Sequence, residues 1–140
     1  MKVFRIDENV KLPERKSERA AAFDLYVPEA VVIEGNTTTK IPCGIKVEIP
    51  RGYFGMLKER SSMAVRGLHA TAGVIDNDYR GEITLLMRNT TSEDFDVKAG
   101  DRVAQLILIP QYKKAVEEVD DLLGLSGTDR GDGGFGSTGQ

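Results

Sequence analysis

Asp76, Asp78, Tyr79 and Arg80 fall in one short run, Gly73-Val-Ile-Asp-Asn-Asp-Tyr-Arg-Gly-Glu82. It sets two carboxylates, an aromatic ring and a cation on neighbouring backbone. The flanks, Val74-Ile75 and Ile83-Thr-Leu-Leu-Met87, read as strands, so the charged run is predicted to form the tip of a hairpin closed by Gly81. A turn of this kind is often plain polar surface, but loops on a rigid sheet are also where binding and catalytic groups sit. His69 is the only histidine and Cys43 the only cysteine, so a zinc site of the usual Cys/His ligands cannot form within one chain. If the chain is an enzyme, its general base is therefore expected to be a carboxylate.

Four other stretches carry groups able to do chemistry. Glu59-Arg60-Ser61-Ser62-Met-Ala-Val-Arg-Gly67 places a forked guanidinium and two hydroxyls at the start of a short predicted helix. Free N–H groups there favour an anion, although Ser61 or Ser62 could equally serve as a plain helix cap. Gln105 interrupts the apolar run Val103–Ile109, and a buried amide needs a partner, either backbone or a ligand oxygen. Asp24 lies among apolar neighbours in Ala20-Ala-Ala-Phe-Asp-Leu-Tyr26; it is either a surface carboxylate or one that would hold Mg²⁺ beside a triphosphate, directly or through water. The end of the chain, Arg130-Gly-Asp-Gly-Gly-Phe135-Gly-Ser-Thr-Gly-Gln140, is rich in glycine around a single aromatic residue. Composition alone reads it as a flexible tail. Its glycines would also let backbone N–H groups wrap phosphate oxygens while Phe135 lies on a base, a lid that orders on ligand.

The elements that must position these groups are mostly strands. Ile45, Val47 and Ile49 alternate with Lys46 and Glu48, the pattern of a half-buried antiparallel strand. Val103–Ile109 is apolar enough for a strand buried on both sides. Glycine and proline punctuate the runs at short intervals, which points to an all-β sandwich or barrel with one short helix, Ser61–Arg66, ended by Gly67. At 140 residues the chain suits one domain, expected as a β-domain over residues 1–128 and a tail over 129–140. A net charge of −3 argues against a general nucleic-acid binder. No run approaches the ~20 apolar residues of a membrane span, and the N-terminus lacks a signal-peptide layout. A cytoplasmic location is the expectation.

The five stretches occur in the order and approximate spacing of the five motifs of the homotrimeric dUTPases, and from about Ala20 to Gly139 the chain resembles that family. The third motif and the tail carry the most specific part of the match. The resemblance implies a β jelly roll assembled as a homotrimer, each site built from three subunits. It implies hydrolysis of dUTP to dUMP and pyrophosphate, with Mg²⁺ as cofactor, lowering dUTP and supplying dUMP for thymidylate synthesis. Asp76 matches the residue that activates the attacking water, and Asp24 the acid that holds Mg²⁺ through its waters. Arg60, Ser61 and Ser62 match the phosphate-binding second motif, and Gln105 a further phosphate contact. The backbone of Gly73, Val74 and Ile75 matches the edge that reads uracil. Tyr79 matches the ring beneath the deoxyribose that leaves no room for a 2′-hydroxyl. Phe135 with Gly136 matches the lid over the base, and Arg130, Ser137 and Thr138 the γ-phosphate clamp.

The chain departs from the family pattern in two places. Ser62 stands where the second motif usually has glycine, and Ala70-Thr71-Ala72 precedes Gly73 where many members have another glycine, with Thr71 as the departure. Both features lean towards the dCTP deaminases, a sister family on the same fold. That family's catalytic glutamate falls at the position of Leu86, however, and a leucine cannot shuttle protons. A non-catalytic nucleotide-binding protein on the same scaffold is the alternative from another class.

Overall fold

Period-two alternation builds the core. In β8 (Glu82–Asn89) the side chains of Ile83, Leu85, Met87 and Asn89 are fully buried, while those between them are half-buried. In β4 (Thr38–Glu48) Ile41, Cys43, Ile45 and Val47 point inward, and Lys46 and Glu48 point to solvent. Asn89 is tolerated in the core because every polar atom of its amide is used. Its Nδ2 donates to the Ile33 and Glu93 carbonyls at 3.0 and 2.8 Å, and its Oδ1 accepts from the Thr91 N–H and hydroxyl.

The protein, described as a computed structural model over residues 1–133, is all-β and jelly-roll-like. The remaining strands are β1 (Lys2–Arg5), β2 (Ala22–Tyr26), β3 (Val31–Ile33), β5 (Tyr53–Glu59), β6 (Leu68–Ala70), β7 (Val74–Ile75), β9 (Phe95–Val97) and β10 (Arg102–Pro110). One sheet runs β1-β4-β8-β6, a second runs β2-β10-β5-β7, and β3 pairs with β9 apart from both. All the ladders are antiparallel. One buried cluster draws Leu25, Leu57 and Leu106 from the second sheet and Ile45, Leu68 and Leu85 from the first, so the core lies between the two.

Three features differ from the sequence reading. β7 pairs with β5, whereas β8 belongs to the other sheet. The charged run 76–81 is therefore a crossover between sheets rather than a hairpin tip. Two residues of strand cannot reveal their partner, which the core chooses. β10 is buried at Val103, Ala104 and Leu106, but Gln105, Ile107 and Ile109 are only half-buried, so that face is partly open to solvent. The helix α1 (Ser61–Ala64) ends two residues earlier than predicted, and the chain then turns to Gly67 at φ +82.

Beyond β10 every residue from 111 to 132 is exposed, Leu122, Leu123 and Val116 among them. One 3-10 turn, Leu122–Gly124, is capped by the Asp121 carboxylate, which accepts from the Leu123 and Gly124 N–H groups. No helix among the described residues is long and apolar enough to cross a membrane.

Candidate active site

The sequence candidates gather in two clefts on opposite margins of the second sheet. The first is cationic. Asp24 on β2 sits across from Gln105 on β10, which sits across from Lys58 on β5, so the three form one row on one face. Arg60 follows β5 directly, and Asp24, Arg60, Ser61 and Gln105 line an open cleft of about 450 Å³ with Lys16, Arg102 and Ile107. Three cations thus face one carboxylate, inside a chain whose net charge is −3.

The Asp24 carboxylate holds both arginines. Arg60 Nε stands 3.4 Å from Oδ1, and Arg102 Nη1 donates to Oδ2 at 2.9 Å. Arg60 Nη1 also donates to the Arg102 carbonyl at 3.2 Å, closing a triangle that fixes both guanidinium groups. Gln105 Nε2 donates to the Glu59 carbonyl at 3.2 Å, so its partner is backbone, while the side chain still lines the cleft. Burial pushes the Glu59 carboxyl up, but its own N–H, the Ala70 N–H and Lys58 outweigh that and hold it below the ordinary carboxylate range. Its carboxylate accepts the Ala70 N–H at 3.2 Å, tying β6 to the strand that delivers Arg60.

No serine hydroxyl caps α1; the cap position is Arg60, with no side-chain bond. A one-turn helix leaves the N–H groups of Ser61 and Ser62 without an intrahelical acceptor, and these, rather than a macrodipole, are what it offers an anion. Ser61 lines the cleft; Ser62 is exposed and does not.

The second cleft lies where the chain crosses between sheets. Val74, Ile75, Asp76 and Tyr79 line it together with Glu82 and Thr84. β7 is the last strand of its sheet, so one side of its backbone is paired with Gly55 and Met56 and the other side is open. Gly73 is required here twice over: its φ is +104, and a Cβ would stand 2.8 Å from the Leu57 carbonyl oxygen. Ala72 adopts φ +60 without being glycine, a left-handed conformation that costs a residue with a Cβ. Asp76 and Tyr79 are closed into a turn by the Tyr79 N–H, which donates to the Asp76 carbonyl at 3.1 Å.

The two clefts are not joined within one chain. β2 and β7 are three strand spacings apart, and adding the offset along the strands puts Asp24 and Ile75 about 17 Å from each other. Arg130 is exposed, and its Nε donates to the Gly133 carbonyl. Phe135, Gly136, Ser137 and Thr138 lie outside the described residues.

Against this geometry, the family model for dUTPases matches residues 8–139. The chain belongs to the dUTPase family. Among its dUTPase relatives, the deoxyuridine 5'-triphosphate nucleotidohydrolase of Yarrowia lipolytica is 43% identical, over 99% of this chain and 88% of that protein. The enzyme of the same name from Paramecium bursaria Chlorella virus 1 is 41% identical, over 98% and 96% respectively. Among solved structures, the dUTPase of Staphylococcus bacteriophage 80alpha with dUpNHpp superposes with a TM-score of 0.90 at 26% identity, covering 99% of this chain and 98% of that one. A dUTPase mutant from phage phi11 of S. aureus, described with a structural Mg(II) ion, covers 86% and 97% with a TM-score of 0.80 at 25% identity.

Arg102 is one of two charged cleft residues that sequence reading missed. Simple alternation puts residues 102 and 105 on opposite faces. A bulge shifts the β2 register between Arg102 and Ala104, so that Val103 and Ala104 are buried in succession and Arg102 joins Gln105 in the cleft. A charged residue before two consecutive inward positions was the available signal. Lys16 was missed because it lies in a coil with no pattern to place it.

Proposed function

We propose that the chain hydrolyses dUTP to dUMP and pyrophosphate by attack of water on the α-phosphorus. The match to the dUTPase family over residues 8–139 carries this reading. The strand-edge pocket supports it by bringing Ile75, Asp76 and Tyr79 together. Phosphoryl transfer demands positioning and charge neutralisation more than covalent chemistry. Arg60, Ser61, Arg102 and Gln105 would bind phosphate oxygens, and Asp76 would orient the water and take its proton on a carboxylate oxygen. The open edge of β7 offers alternating backbone donors and acceptors to a uracil edge. Cytosine reverses that pattern, and each mispaired buried polar group costs about 1–3 kcal/mol. Tyr79 would lie beneath the deoxyribose and exclude a 2′-hydroxyl.

Among the described residues no group of three or more His, Cys, Asp and Glu could hold a metal ion. One carboxylate, Asp24, with both oxygens already engaged by arginines, fits Mg²⁺ held chiefly by phosphates and water. Such an ion would supply charge neutralisation on the triphosphate. Residues 129–140 would close over the nucleotide, Phe135 and Gly136 on the base and Arg130, Ser137 and Thr138 on the γ-phosphate.

The separation of the two clefts favours sites shared between subunits of a homotrimer, because a nucleotide's base and α-phosphate are separated by a single sugar. A cytoplasmic setting, where dUMP would feed thymidylate synthesis, completes the reading. The test is steady-state kinetics with dUTP and dCTP in parallel on the full chain, on Asp76→Asn and on a chain ending before Arg130. Asp76→Asn should keep nucleotide binding and lose most turnover. The truncation should keep its melting temperature and lose kcat as well as raise KM. Deamination of dCTP by the full chain would overturn the reading.

A further inference from the structure

The Tyr79 ring is seated on bare backbone. A Cβ added to Gly81 would stand 2.2 Å from Tyr79 Oη, 2.4 Å from Cζ and 2.8 Å from Cε2, all inside van der Waals contact. The phenol donates to the Glu82 carbonyl at 3.1 Å, and Arg80 Nη1 donates to the Asn77 and Tyr79 carbonyls at 2.8 Å each, closing the loop beneath the ring. Gly81 does not occupy the left-handed region, so alanine is torsionally permitted there and clearance alone demands glycine.

We propose that Gly81, with the Glu82 carbonyl, is a specificity-determining seat that sets the height of the Tyr79 ring and thereby the exclusion of the 2′-hydroxyl. The inference rests on Tyr79 facing the sugar, as proposed above. A methyl group at position 81 forces the ring off its seat, since the atoms it meets are the ring itself. The displaced ring opens the sugar pocket, and discrimination falls while the catalytic carboxylate keeps its place. Gly81 is a positioning residue: it acts only through Tyr79.

A double-mutant cycle tests this. Gly81→Ala, Tyr79→Ala and the double variant are purified, and kcat/KM is measured for dUTP and for UTP. Gly81→Ala should raise the UTP-to-dUTP ratio about tenfold, the scale of a single methyl-sized change in a pocket. In the Tyr79→Ala background the same substitution should move the ratio by less than about twofold. A raised ratio in Tyr79→Ala with none in Gly81→Ala, or an equal rise with and without the tyrosine, overturns the seat. An unchanged ratio in Tyr79→Ala overturns instead the sugar-facing role on which it rests. Should Gly81→Ala not fold, Tyr79→Phe carries the test, because it removes the anchor on Glu82 without touching Gly81; an unchanged ratio there also overturns the proposal.

Discussion

Two residues show how far a side chain's behaviour is set by what surrounds it. Arg102 is an ordinary exposed cation by sequence, yet the bulge in β10 turns it onto Asp24 and makes it part of a triangle with Arg60. Replacing it with glutamine removes a charge from the cationic cleft and loosens Asp24. A hydrogen bond to a charged group contributes about 1.5–3 kcal/mol, so KM for dUTP should rise by roughly tenfold or more in steady-state assays. An unchanged KM would confine Arg102 to a structural role. Cys43 illustrates burial alone. Desolvation, with the Glu82 charge adding to it, pushes its thiol from 9.0 up to about 12. The folded state keeps a proton that the unfolded chain releases, so stability is intact below pH 9 and falls as pH rises towards 12, by about 1.4 kcal/mol per unit. Denaturant melts of wild type and Cys43→Ala should diverge in slope across that window, the variant losing less with each unit.

At the scale of elements, β7 is two residues long and is held by its entry. Leu57 N–H donates to the Gly73 carbonyl at 2.8 Å, and the backbone can approach that closely only because residue 73 has no Cβ. Gly73→Ala combines a left-handed φ with a clash against backbone. It should destabilise the fold by about 1–3 kcal/mol and lower kcat/KM by more than the melting shift explains, since the open edge of β7 moves with it. Ala72→Gly, at φ +60, is the control and should stay within about 1 kcal/mol of wild type. Thermal melts and kinetics on the two variants separate the contributions of backbone strain and clearance.

At the scale of the molecule, the cationic cleft and the strand-edge pocket occupy opposite margins of one sheet. If copies of the chain share their sites, two inactive variants should rescue each other. Arg60→Ala damages only the cleft and Asp76→Asn only the pocket. Refolding them together in equal amounts should restore about a quarter of the sites, the fraction that draws an intact half from each parent in a symmetric oligomer. Activity that stays at the level of the separate variants would place the whole site within one chain. The exposed apolar side chains of residues 111–132 add a second reason to examine assembly by light scattering, because Leu122, Leu123 and Val116 stand exposed among the described residues.

By itself the sequence determined the fold class and named most of the candidate site residues. Alternation at Ile45, Val47 and Ile49 depends only on the two-residue period of a strand, and it sets those side chains inward. The one-turn helix at Ser61 and the candidates Asp24, Arg60, Gln105, Asp76 and Tyr79 were legible for a similar reason: their types and local order carry the signal. Tertiary structure decided which strands are neighbours. It sent β7 to β5 and β8 to the opposite sheet, turning a supposed hairpin into a crossover. It placed Arg102 in the cleft through a one-residue bulge that no period reveals, and it laid Tyr79 across Gly81. These are contacts between residues whose approach is fixed by the packing of two sheets around one core, and a linear pattern holds no record of such distances.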